Sequence, residues 1–419
     1  MAFRPPFCPN PECPYHRDPD TPEGRKLKRI AWFKPFGYYH TKVSGSVPRF
    51  RCLYCRRTCS RQTFRLDYYV KRTVDYNDVR ARLISCGGIR AIARSLGISP
   101  DSVSNRISRL SRQYISACAM LLPVVRLRED LVADGFESFA VSQYFPNNIH
   151  LLGGANSQYV FFADYVHLRR KGRMTPQQKQ LRAGLEKLYR AEPDAIRDSF
   201  SRLLDTVADL VDGATTHPIQ LRTDKKHEYC QAIEAHEPVV QAVKRGLLQH
   251  LRIDSRVPRT GSNPLFTVNY LDRQLRKDLA EHVRETVRFA RNVCHTMERL
   301  WIAVGEYNFH KRFRCSDPVP VNRTHADVAG IPAEILQRAL KGITTTRRFL
   351  SFQSLPAAFE TAWRRSYETP LRTLEPGVLR EVSRQAKKGD VNLKAVAKML
   401  GLDSVTHNRP QYIPAYALQ

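Results

Sequence analysis

Acidic residues are scarce in this chain: 40 Asp and Glu stand against 68 Lys and Arg, a formal net charge of +28. A neutral, solvated surface does not need that excess, which calls for a polyanionic partner bound with steep salt dependence. Long apolar runs are missing as well. Without a stretch of about 18 apolar residues, and without a basic amphipathic anchor, a membrane is not the expected polyanion. The opening run MAFRPPFCPNPEC has no apolar core of a secretory signal, so the expected location is the cytosol. Beyond residue 59 cysteine is sparse. Cys86, Cys118, Cys230, Cys294 and Cys315 stand singly, which argues against a disulfide framework and reads as small buried apolar side chains in a reducing compartment. What is present is length: 419 residues, enough for about three domains with packed cores.

Five cysteines crowd into the first 59 residues. Cys8 and Cys13 lie in CPNPEC, Cys52 and Cys55 in CLYC, with 38 residues between the pairs. Two short-spaced pairs let two tight turns present four thiolates tetrahedrally, the geometry of structural zinc. The stretch between them, including IAWFKPFGYYHTK and VPRFRC, is aromatic and β-prone. A zinc ribbon is expected over residues 1–70. His16 and Cys59 are the alternative ligands, and Cys59 reads better as packing.

The run SCGGIRAIARSLGISPDSVSNRISRLSRQ from Ser85 is the second signal. Ile89, Ile92, Ala93 and Leu96 make one helical apolar face that stops at Gly97. Ser99 then has the chemistry of an N-cap, with Pro100 at the first helical position. Val103, Ile107 and Leu110 line the inner face of the next helix, while Ser102, Asn105, Arg106 and Arg109 lie on its outer face, able to reach bases or phosphates. This predicts a helical, helix-turn-helix DNA-binding domain over 71–125. The plainer alternative is a helical hairpin within a core.

From residue 126 the periodicity changes. LVADGFESFAVSQY, NIHLLGG and SQYVFFADYV read as a three-strand meander. A basic helix-prone insertion spans about 167–192, an added DNA clamp or dimer contact, and a helix follows from Pro193 to Asp212. HPIQLRTD gives a fourth strand that ends at Asp224, with a helix soon after; HLRIDSRV gives a fifth; VNYLDRQLRKDLAEHVRETVRFARNV reads as one long helix. Three strands, helix, strand, helix, strand, helix is the order of an RNase H-like α/β core with a mixed five-stranded sheet, here over 126–315. Asp134 then falls on the first strand, Asp224 closes the fourth, and Asp272 lies on the late helix, 48 positions after Asp224. Converging carboxylates are what two-metal phosphoryl transfer requires. Each aspartate alone reads as a solvated charge or a cap; Asp130 competes with Asp134, and Glu281 or Glu285 with Asp272. Residues 316–419 read as a helical C-terminal extension with a second, fainter helix-turn-helix pattern from Asn392. The fold class is thus a multidomain α+β chain.

CPNPEC with FRCLYCRRTCS, the helix-turn-helix, DGFESF, RTDKKHEY and VNYLDRQLRKDLAEHVRETVRFARN together resemble bacterial insertion-sequence transposases of the DDE superfamily with an N-terminal zinc ribbon. The resemblance spans about residues 8–315. It implies a core that uses Mg²⁺ or Mn²⁺ to cut at the ends of a mobile element and join them to target DNA, working on double-stranded DNA in the bacterial cytoplasm at the nucleoid, as a homodimer or larger assembly. Asp134, Asp224 and Asp272 match its three acids, Asp272 following Asn269 in an Asn-x-x-acid pattern; the departure is Asp where the third acid is usually Glu. Arg284 and Arg291 match basic positions that hold DNA phosphate, or form a solvated basic face. The rival functions are a non-catalytic DNA-binding regulator and a nuclease acting on RNA or branched DNA.

Overall fold

A computed structural model describes residues 3–283, 288–316, 322–372, 374, 376–388, 394 and 396–398. Its N-terminal part is a three-stranded antiparallel sheet of β1 (Phe33–Thr41), β2 (Gly45–Cys52) and β3 (Thr58–Ser60), preceded by the short helix α1 (Pro22–Lys26). Thr21 caps α1 by accepting from the Gly24 N–H, as its place before Pro22 predicts. Phe7, Leu27, Trp32 and Phe64 form a small core of their own around the cysteines.

Next come α2 (Tyr76–Ile84), α3 (Ile89–Leu96) and α4 (Pro100–Leu121). The turn between α3 and α4 follows the sequence reading. Gly97 takes the left-handed conformation at φ 64° and Ser99 accepts from the Ser102 N–H, with Pro100 opening the helix. The length of α4 is the surprise. It runs for 22 residues, and Tyr114, Ile115, Ala117 and Leu121 are buried in a core that includes the sheet and the later helices.

That sheet holds β4 (Leu131–Phe139), β5 (Pro146–Gly154), β6 (Val160–His167), β7 (Ile219–Asp224) and β8 (Leu248–Ile253) in the order β6-β5-β4-β7-β8. β4, β5 and β6 form the expected antiparallel meander, whereas β7 runs parallel to β4 and β8 parallel to β7. Between β6 and β7 lie α5 (Pro176–Glu186) and α6 (Ala195–Asp212), and between β7 and β8 lie α7 (His227–Ala235) and α8 (Glu237–Lys244). Helix α6 packs on β5 and β6; α9 (Phe266–Asp278) packs on β4 and β5. Burial at both alternating positions of β5 and β6 means that both faces of these strands are covered.

The single long helix expected over VNYLDRQLRKDLAEHVRETVRFARNV is instead broken. α9 ends at Asp278, and Leu279 turns extended at φ −115° and ψ 120°. A short turn then buries Ala280, Glu281 and His282, before Asn292 caps α10 (Val293–Phe309). The buried ion pair of Glu281 with Arg299 of α10 supplies the reason, since a continuous helix could not bring that carboxylate inward.

The C-terminal part contributes α11 (His325–Val328), α12 (Ala333–Leu340), α13 (Ala357–Arg364) and α14 (Pro376–Lys387). α12 and α13 pack on α4, and the segment between them returns to the ribbon. Phe349 and Phe352 set their rings edge-on to Phe7 at 5.0 and 4.8 Å, and the Leu66 N–H donates to Thr345 O. Most of the pattern from Asn392 lies outside the described residues.

Helices α4 and α10 touch at a glycine. A Cβ on Gly305 would stand 2.1 Å from the Tyr114 ring, which is fully buried. Gly305→Ala is therefore expected to destabilise the fold by about 1–3 kcal/mol through overpacking, despite alanine's better helix propensity, as read by urea denaturation.

Candidate functional site

Two clusters stand out, one of thiols and one of carboxylates. In the ribbon, the Sγ atoms of Cys8, Cys13, Cys52 and Cys55 all lie within 4.8 Å of one another and are close enough to bind a metal. Cys8 is 3.5 Å from Cys55, and Cys13 is 3.7 Å from Cys52. A tetrahedron with metal–sulfur bonds of about 2.3 Å has edges of about 3.8 Å, so the spacing fits one ion. The two loops are tight turns: the Cys13 N–H donates to Asn10 O, the Cys52 N–H to Arg57 O, and Arg56 adopts φ 62°. Burial raises the Cys8 thiol. Burial also acts to raise Cys55, but the Arg57 backbone and hydrogen bonds with Cys8 and Asn10 outweigh it and bring that thiol down to about 7.

The alternative ligands have other work. Cys59 packs in the ribbon core, its thiol pushed up to about 12 by burial. His16 is held between Cys8 O at 2.7 Å and the Ser351 hydroxyl at 2.5 Å, with its ring stacked on Phe352. It helps to pin the C-terminal segment to the ribbon.

The carboxylates gather at one end of the parallel strands. Leu131 pairs with Leu221 and Val132 with Arg222; continuing that parallel register sets Asp134 level with Asp224, and the period of two puts both on one face. Asp272, two turns into α9, completes the group: its proton is held up to about 7, first by burial and then by the negative charge of Asp134. Burial and Asp134 also raise Asp224. Asp134 accepts from the Gly135 N–H at 2.7 Å and the Tyr229 hydroxyl at 3.4 Å. Lys226 sits against both strand acids, its Nζ 3.6 Å from Asp134 and 3.8 Å from Asp224.

The competing acids are engaged elsewhere. Asp130 accepts from the Gln220 N–H at 2.9 Å and from Arg222 at 2.5 Å, tying β4 to β7. Glu281 is buried in its pair with Arg299. Glu285 lies outside the described residues, as does Arg284.

Of the expected DNA contacts, Asn105 is exposed on α4, Ser102 is half-buried beside the Ser99 cap, and Arg291 is exposed near Phe289. Arg106 is 4% exposed and donates to Ser102 O and Arg72 O. Arg109 donates to Leu66 O and Tyr68 O and lies over the Tyr68 ring. Both guanidinium groups fasten the 66–72 segment to α4. Their i, i+3 spacing is compatible with either role, and only the path of that segment decides between them. Lys226 and Tyr229 were missed in the sequence although both lie in RTDKKHEY, where the step of two and five residues from Asp224 was the available signal.

Compared with known proteins, the chain matches no family model and no curated protein. Among the described residues no helix is long and apolar enough to cross a membrane.

Two outcomes follow. Elemental analysis of the purified chain should find a thiolate-bound metal that is lost in Cys13→Ser/Cys52→Ser, with a lowered melting temperature, because the ribbon core is built around those thiols. The second concerns pH. A carboxyl that holds its proton more tightly folded than unfolded stabilises the fold below about pH 4, its unfolded pKa, and that contribution is lost as pH rises through about 7 for Asp272. Urea titrations without added divalent metal should show stability falling across that window, and Asp272→Asn should flatten the fall.

Proposed function

We propose that this chain is a DDE-type DNA transposase with an RNase H-like core, a zinc ribbon and a helix-turn-helix. The observation that carries the reading is the convergence of Asp134, Asp224 and Asp272 from β4, β7 and α9. The strand order β6-β5-β4-β7-β8 with an antiparallel meander and two parallel strands supports it, because the parallel register of β4 and β7 sets Asp134 level with Asp224, and α9 adds the third acid.

The donor set is all oxygen, which suits Mg²⁺ or Mn²⁺. Held there, such ions would activate the attacking water or 3′-hydroxyl and stabilise the leaving oxygen. The protein's own part is to hold the acids: the Lys226 N–H binds Asp224 at 3.1 Å, and Tyr229 and the Gly135 N–H fix Asp134. In this reading the four cysteines hold a structural Zn²⁺, and the ribbon and the α3–α4 unit bind terminal inverted repeats, with Asn105 and Ser102 facing the bases and the +28 charge supplying phosphate affinity. The chain works as a homodimer or larger assembly on double-stranded element ends and target, at the nucleoid in the bacterial cytoplasm.

One observation favours the second reading, a non-catalytic DNA-binding regulator: a lysine ammonium stands between two of the three acids. The deciding experiment is cleavage and strand transfer on DNA spanning both flanks of the gene, with Mg²⁺ or Mn²⁺. Asp224→Ala is expected to lose product formation by at least about a hundredfold while binding the ends as before. Ends bound but uncut by the wild type with either metal would leave the regulator.

A further inference from the structure

We propose that Lys226 is the resident counter-ion of the metal-free acid site, that divalent metal displaces it, and that its freed ammonium then meets a DNA phosphate. This rests on the metal-dependent reading above and assigns a second chemical role within the same site.

The placement of the side chain is the first argument. Its Nζ is 3.6 Å from Asp134 Oδ1, 3.8 Å from Asp224 Oδ2 and 3.4 Å from the Tyr229 hydroxyl. Charge-assisted hydrogen bonds close to about 2.7–2.9 Å, so the ammonium is fastened to neither carboxylate and acts as a point charge shared by both. Three carboxyls crowded at the edge of a core repel one another strongly without such a cation.

The second argument is space. Among the described residues the four cysteines are the one group of three or more possible ligands whose atoms all lie within 4.8 Å of one another; the oxygens of the three aspartates do not all come that close, and the ammonium stands by two of them. Mg²⁺ demands oxygens at about 2.1 Å, which would draw them to roughly 3 Å from each other. A cluster contracted in that way has no room for Nζ.

The third argument is that the stem can leave. The backbone of Lys226 is anchored, its N–H bound to Asp224 Oδ1 at 3.1 Å and its φ and ψ extended at −61° and 133° ahead of α7. The side chain is 27% exposed, so a change of rotamer carries the ammonium outward without moving the strand. Its neighbour Lys225 takes the opposite course, pairing with Asp254 at 2.9 Å on the surface. The loop after β8 carries exposed Arg259, which is near enough to act on the charge of Asp272. A phosphate entering the site would meet Arg259 and the released Lys226 together.

The test is Mn²⁺ binding to the full-length protein without DNA, followed by the resonance of free Mn²⁺. Lys226→Met, which keeps the apolar stem and removes the charge, should bind Mn²⁺ at least about tenfold more tightly than wild type. Its strand cleavage should nevertheless fall, because the phosphate contact is gone. Lys226→Arg should bind Mn²⁺ no more tightly than wild type, and Lys226→Gln repeats the charge removal should the methionine variant melt early. Equal Mn²⁺ affinity in wild type, Lys226→Met and Lys226→Gln would overturn the displacement, as would cleavage that rises together with affinity. Mn²⁺ binding that survives Asp224→Asn in both wild-type and Lys226→Met backgrounds would instead remove the metal-dependent reading itself.

Discussion

The contact of Tyr114 with Gly305 fixes how this protein is put together. A tyrosine on α4 lies flat where α10 has no side chain, so two long helices approach closely along their buried faces. The hydroxyl of Tyr114 accepts from Arg80 at 2.9 Å and shares a hydrogen bond with the His310 ring at 3.0 Å, so α2 and the end of α10 are held by the same residue. Through α10 the contact reaches β6 and α13; through α4 it reaches Asn105 near the N-terminal end of that helix. The surface expected to read DNA and the sheet that carries the acids thus share one interior. In the proposed function, that shared interior would set the distance between a bound sequence and the acids.

The acid site is built under the opposite constraint. Its members are stabilised by being neutralised, and the protein uses three devices: a raised proton affinity at Asp272 and Asp224, backbone and tyrosine donors at Asp134, and the ammonium of Lys226. None is a permanent covalent fixture. In the proposed function the protons and the ammonium would give way to a stronger cation, while the backbone and tyrosine donors would keep Asp134 in place.

Much of this was legible in the sequence because it rested on short-range rules. The cysteine spacing, the Gly97–Ser99–Pro100 punctuation and the turn-separated β-prone runs of β4 to β6 each follow from local chemistry, and the five-stranded mixed sheet follows from the order of those segments. What could not be read depended on distant partners. The break after Asp278 is set by Arg299, twenty-one residues later. The inward roles of Arg106 and Arg109 are set by the path of residues 66–72, and Arg109 has the exposed-face spacing of a DNA contact all the same. The docking of Phe349 and Phe352 on the ribbon joins residues more than 330 positions apart, which no local periodicity records.

That last contact bears on how the chain is made. During synthesis the ribbon emerges well before the segment that completes its core, and can close its strands around the four thiols early. Its aromatic core gains Phe349 and Phe352 only when the chain has grown 285 residues or more beyond Phe64. Until then Phe7 and Phe64 keep an uncovered apolar patch, a surface of the type that chaperones hold and that neighbouring nascent chains can stick to. A module begun early is therefore finished late, and the yield of native protein becomes sensitive to what happens to that patch while the ribosome is still at work.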